Sequence, residues 1–112
     1  MPMSRVEPIT NALTFDVEEY FQVSAFEHDI ARDAWGRWPS RVEASVKVLL
    51  DVLDTHGARA TFFTLGYIAQ NHPNLIAEIV NRGHELGCHG FEHIRVHNQS
   101  RSEFRADITR SK

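Results

Sequence analysis

From Leu13 to Glu18 apolar and polar residues alternate strictly, so an extended backbone places Leu13, Phe15 and Val17 on one face and Thr14, Asp16 and Glu18 on the other. The alternation predicts a strand over Leu13–Val17 that ends in carboxylates. A long irregular segment from Gln22 to Pro39 follows, carrying Phe26, Trp35 and Trp38. Then Val42, Val46, Leu49, Leu50 and Leu53 recur on one helical face until Gly57, and Ser40 to Glu43 has capping-box spacing. This predicts a helix from about Arg41 to Thr55. "ATFFTL" (60–65), short, aromatic and β-branched, suits a strand buried on both faces. Pro73 opens a further helix that packs Leu75, Ile76, Ile79 and Val80 and stops at Gly83. A short strand over Glu85–Cys88 comes next. Ser100 to Glu103 repeats the capping-box spacing and starts a helix whose inner face uses Phe104 and Ile108.

Strand and helix thus alternate three times, which implies parallel strands joined by right-handed crossovers. A closed α/β barrel takes about 200 residues or more, so the pattern predicts about three βα units of a larger barrel. A sheet of three strands also leaves two edges with unpaired backbone groups unless something covers them.

Composition narrows the chemistry. With 42% hydrophobic and 24% charged residues over 112 positions, the chain is of ordinary globular type and allows one domain. A formal charge of −3 with both signs scattered argues against a nucleic-acid partner or an anionic membrane surface. No window approaches the ~18 apolar residues of a membrane span. "MPMSRVEPITNAL" lacks the apolar core of a signal peptide, so a cytoplasmic location is expected. A single cysteine, Cys88, excludes an internal disulfide framework and a multi-cysteine zinc knuckle. Metal chemistry falls to carboxylates and to the seven histidines.

In such folds functional groups gather at the C-terminal ends of the strands. Asp16 and Glu18 stand at the end of the first strand, roughly 6.5 to 7 Å apart on one side, with Glu19 turned away. Paired there, they suit a metal ion or acid–base work, although acidic residues after a strand also cap turns or meet solvent. Beyond the third strand lie His84, His89, His93 and His97. Both His89/His93 and His93/His97 have the four-residue separation of a metal-binding pair, and spacing alone does not choose between them. His89 and His93 arrive at the same rim as the two carboxylates, whereas His84 and His97 read as ordinary polar histidines. Two histidines and a carboxylate with open positions make a catalytic metal arrangement.

"HELGC" from His84 is a near miss to the zinc-protease H-E-x-x-H pattern, with Cys88 in place of the second histidine and Gly87 weakening the helix. Cys88 reads as a small buried residue facing away from His89, because neighbours along a strand point to opposite faces. Phosphate loops and G-x-S-x-G elbows are absent from the sequence.

Three stretches, Leu13 to Glu27, Ala60 to His93 and "EFRADITRSK", resemble the polysaccharide deacetylases of carbohydrate esterase family 4, and within them the subgroup associated with bacterial exopolysaccharide gene clusters. The resemblance implies an α/β fold: residues 1–112 would be the N-terminal part, about three βα units, of a distorted (β/α) barrel. It further implies a divalent metal, zinc foremost with cobalt, nickel, manganese or iron as alternatives, and removal of N-acetyl groups from a polysaccharide substrate. The family's first motif is commonly T-F-D-D, whose first Asp is the base and whose second binds metal. Asp16 matches the first, as catalytic base. Val17 stands where the second would be, and the alternation offers Glu18, on the face of Asp16, as the metal carboxylate. The H-x-x-x-H motif matches His89 and His93 as metal ligands.

Later family motifs, an Arg-Pro segment orienting the base, an Asp-Trp groove wall and a late acid histidine, fall outside these 112 residues. The missing half of the barrel, or another chain, is therefore expected to complete the site. Two other readings stand beside the deacetylase: a non-catalytic remnant that binds metal or another chain, and a related barrel hydrolase acting on another C–N bond.

Overall fold

The computed structural model describes residues 4–112; Met1 to Met3, the start of the segment read above as lacking a leader's apolar core, lie outside the described residues. Three parallel strands, β1 (Thr14–Val17), β2 (Thr61–Thr64) and β3 (Glu85–Cys88), form one sheet in that order. Asp16, Phe63 and Gly87 share a row on one face, while Val17, Thr64 and Cys88 share a row on the other. Helix α1 (Val42–Thr55) connects β1 to β2, and α2 (Gly66–Asn71) and α3 (Pro73–Asn81) connect β2 to β3. Helix α4 (Arg101–Ser111) follows β3. Among the described residues, no helix is long and apolar enough to cross a membrane.

The core lies on the helix side of the sheet. Val17, Phe62, Leu50, Leu65, Ile68, Leu75 and Ile79 are all at most 2% exposed there. Val42, Val46, Leu50 and Leu53 form the buried stripe of α1 that their spacing predicts, with Leu49 partly buried beside them. Gly83, at φ 90°, ends the α3 connection in a left-handed turn that favours glycine.

Five local expectations change. "ATFFTL" is fully buried on one face only, since Phe63 and Thr61 on the opposite face are half-buried. The Ser40–Glu43 capping box does not form: Ser40 donates its hydroxyl to Glu19 instead, and the buried Glu19 carboxylate accepts from the amides of Arg41 (3.0 Å) and Val42 (3.2 Å). Glu19, with no expected role, is thus the cap of α1, a negative charge at the positive end of a helix. Helix α2 is an addition to the predicted elements, separated from α3 because Pro73 forces the preceding residue, His72, out of helical conformation. The capping box at Ser100 and Glu103 does form, but Phe104 and Ile108 remain 38% and 36% exposed rather than lining a buried face. Cys88 faces the opposite way from His89, as expected, but is exposed at the end of the edge strand β3.

Trp35, from a 3-10 turn at Arg32–Arg37, packs into the interior between Phe21 and Tyr67, whereas Phe26 and Trp38 stay exposed.

Candidate metal centre

The rim above the strand ends is built by alternation. Val17 enters the core, so Asp16 and Glu18 turn to the other side of β1. His89 continues β3 by donating its amide to the carbonyl of Thr64 at 3.1 Å, and its ring reaches the same side. The chain then turns through Gly90 at φ 77° and returns His93 to the rim. Glu18, His89 and His93 each present one ligand atom, and these atoms lie within 4.8 Å of one another. Glu18 Oε2 is 3.2 Å from His93 Nε2 and 3.7 Å from His89 Nε2. Asp16 stands alongside, its Oδ2 3.8 Å from His89 Nε2 and its side chain 56% exposed.

Glu18 Oε2 and His89 Nε2 are buried and have no hydrogen-bond partner, and the close approach of His93 is not aligned as a hydrogen bond. Unpaired buried polar atoms are costly, and two of them, converging with His93 Nε2 within 4.8 Å, make a donor set that could hold a cation. Two imidazole nitrogens and one carboxylate oxygen fit zinc and other first-row divalent ions. Asp16 stands outside the close group and is open to solvent.

The loop carrying both histidines is secured at each step. The carbonyls of Gly90 and Phe91 accept from the first amides of α2, Gly66 at 2.8 Å and Tyr67 at 3.0 Å. Phe91 is buried, donates its amide to Asp107 Oδ1 at 3.3 Å, and has the Arg110 guanidinium 3.6 Å from its ring centre. Arg32 donates to the carbonyls of Glu92 and His93. None of these supports was foreseen from the sequence. They come from residues 16 to 61 positions away, and only Phe91, an aromatic between two candidate ligands, offered a local sign.

The other histidines separate from the centre. His84 is buried and structural: its Nδ1 accepts the amide of Ala60 at 3.2 Å and its ring stands edge-on to Phe62. His97 lies in an exposed turn at Val96–Asn98.

Comparison with known proteins agrees with this architecture. A sequence profile described as polysaccharide deacetylase matches residues 5–112. The chain is 36% identical over 63 residues to a peptidoglycan-N-acetylglucosamine deacetylase of Bacillus cereus, a match covering 56% of this chain and 23% of the relative. It is 44% identical over 45 residues to a chitooligosaccharide deacetylase of Sinorhizobium fredii, covering 40% and 21%. Among solved structures, the peptidoglycan deacetylase PdaC of Bacillus subtilis superposes with a TM-score of 0.65 at 26% identity, over 89% of this chain and 39% of that one. A family 4 carbohydrate esterase of Streptomyces lividans, in complex with acetate, gives 0.65 at 25% identity over 89% and 40%. This chain therefore spans less than half the length of each of these relatives, and its strands and helices match the N-terminal part of their (β/α) barrel. A profile match running almost end to end, on a fold shared with solved deacetylases, makes the chain a member of the polysaccharide deacetylase family.

Proposed function

We propose that this chain carries the metal ligands and the base of a hydrolase that removes N-acetyl groups from a bacterial polysaccharide. The observation that carries the reading is the convergence of Glu18, His89 and His93, with two buried unpaired atoms among them and Asp16 at the rim. Glu18, His89 and His93 would hold the divalent ion, zinc foremost. Bound there, such an ion supplies Lewis-acid polarisation of the acetyl carbonyl and a more acidic water. Asp16 takes the proton of the attacking water, a role suited to a carboxylate in contact with His89 yet open to solvent. Val17 keeps the two carboxylates on one side by occupying the core between them. The relatives' activities, on peptidoglycan and chitooligosaccharide, support an N-acetylated sugar polymer as the substrate class. The likeness of Leu13–Glu27 and Ala60–His93 to the subgroup associated with exopolysaccharide gene clusters supports an exopolysaccharide as that polymer.

Zinc titration by calorimetry, run beside acetate release from N-acetylated oligosaccharides, tests the reading. Asp16→Asn is expected to keep zinc binding and lose acetate release, while Glu18→Gln weakens zinc binding by about tenfold or more. A protein that takes up no divalent metal overturns the proposal. Zinc uptake without acetate release favours instead the non-catalytic, metal-binding reading.

A further inference from the structure

The irregular segment from Gln22 to Pro39 contributes no ligand to the centre, yet it reaches across to the histidine loop. Arg32 donates Nε to the carbonyl of Glu92 at 3.0 Å and Nη2 to the carbonyl of His93 at 3.1 Å. A planar guanidinium can receive two successive carbonyls in one fork, which an ammonium cannot reproduce. Its guanidinium carbon lies 5.7 Å from the ring of Trp35, itself buried between Phe21 and Tyr67, so the arginine stands on a fixed base.

What Arg32 grips is the strained point of the loop. His93, at φ 60°, is the one non-glycine residue with positive φ among those described. Left-handed backbone is unfavourable for a residue with a Cβ and persists only where the surroundings enforce it. From this backbone the imidazole comes within 3.2 Å of Glu18 Oε2. A second tie, Arg95 to Glu27 Oε1 at 3.3 Å, joins the same two segments without touching the carbonyls of Glu92 or His93.

We propose that Arg32 is a positioning residue for the metal centre: its fork on the carbonyls of Glu92 and His93 holds the left-handed turn that aims the His93 ring at Glu18. This rests on the reading of Glu18, His89 and His93 as metal ligands. The irregular segment before α1 then sets how tightly the centre binds, although it supplies none of the ligands. Orienting partners of metal ligands typically change affinity by about 10- to 100-fold, and Arg32, acting through backbone, belongs at the lower end.

The test uses the full chain and two readouts. Zinc dissociation constants and the visible spectrum of the cobalt-loaded protein report the centre. Amide hydrogen exchange over residues 92–95 in metal-free protein reports the turn. Arg32→Ala and Arg32→Lys are expected to weaken zinc by about tenfold, to alter the cobalt spectrum and to speed exchange in that stretch, with the thermal midpoint unchanged because Arg32 lies on the surface. Methylguanidinium added to Arg32→Ala restores affinity. Glu27→Ala, which removes the neighbouring tie to Arg95, leaves zinc affinity as in wild type. Wild-type protein that binds zinc, with Arg32→Ala binding it equally well, overturns the positioning role and leaves the metal reading intact. Wild-type protein that takes up no zinc overturns the metal reading and the coupling together. Unaltered exchange over residues 92–95 in Arg32→Ala shows that the fork does not hold the turn, and also overturns the proposal.

Discussion

Gly66 is the first residue of α2 and lies beneath the ring of Phe91, the buried anchor between His89 and His93. A Cβ at position 66 would overlap Phe91 Cδ2 and lie 2.9 Å from Cε2 and 3.1 Å from Cγ, inside the ordinary contact range. The ring has little freedom to withdraw, with Arg110 over it and the backbone on either side bonded to Gly66, Tyr67 and Asp107. Gly66→Ala therefore sets two effects against each other. Alanine gains up to about 1 kcal/mol of helix propensity, less at a first helical position, while overpacking a closed site costs about 1–3 kcal/mol. The overlap wins, for a net loss of about 1–2 kcal/mol and a fall in the thermal midpoint of roughly 5–15 °C. Urea unfolding of Gly66→Ala, Phe91→Leu and the double variant isolates the contact. The slimmer leucine should relieve the alanine, giving a coupling of about 1 kcal/mol or more. A Gly66→Ala protein as stable as wild type, or a double variant whose losses simply add, would refute the argument.

Glu19→Gln should cost about 2–3 kcal/mol in urea unfolding, because it replaces a buried carboxylate that caps α1 through Ser40, Arg41 and Val42; a loss within error of wild type would show that the cap is dispensable. At the start of α4, the backbone amide and then the hydroxyl of Ser100 hold the Glu103 carboxyl below the ordinary glutamate range. That contribution is fully present above the unfolded value and is lost as pH falls through the lowered folded value, so amide protection at Ser100 and Glu103, measured against the unstructured exchange rate at each pH, should fall across that acidic window. Protection that stays constant through it would remove the box from the account of α4.

What was legible in the chain was periodic. Alternation in Leu13 to Glu18 separates Asp16 and Glu18 from Val17, and the α1 stripe from Val42 to Leu53 buries the face its spacing predicts. Gly83 and Pro73 mark boundaries for opposite reasons, glycine because it enters left-handed backbone freely and proline because its ring fixes φ and bars the preceding residue from the helix. What was hidden depends on partners distant in sequence. Ser40 reads as a helix cap until Glu19, 21 positions earlier, takes its hydroxyl. Phe104 and Ile108 read as an inner face, but α4 meets the histidine loop instead through Asp107 and Arg110, two charged residues that a hydrophobic pattern passes over. Helix α2 carries only six residues, too few to display a period.

The pairing of β1 with β2 carries a consequence of its own. Glu18 and His93 are separated by roughly 75 positions, and what brings them together is correct alignment in both parallel pairings, β1 to β2 and β2 to β3. A slip of β1 by a single residue would present Val17 at the rim and drive Asp16 and Glu18 toward Leu50 and Phe62, where a carboxylate costs several kcal/mol to desolvate. Misaligned sheets are thereby penalised by the charges themselves. The acidic pair at the rim thus guards the alignment of the sheet against a slip that would carry its charges into the core.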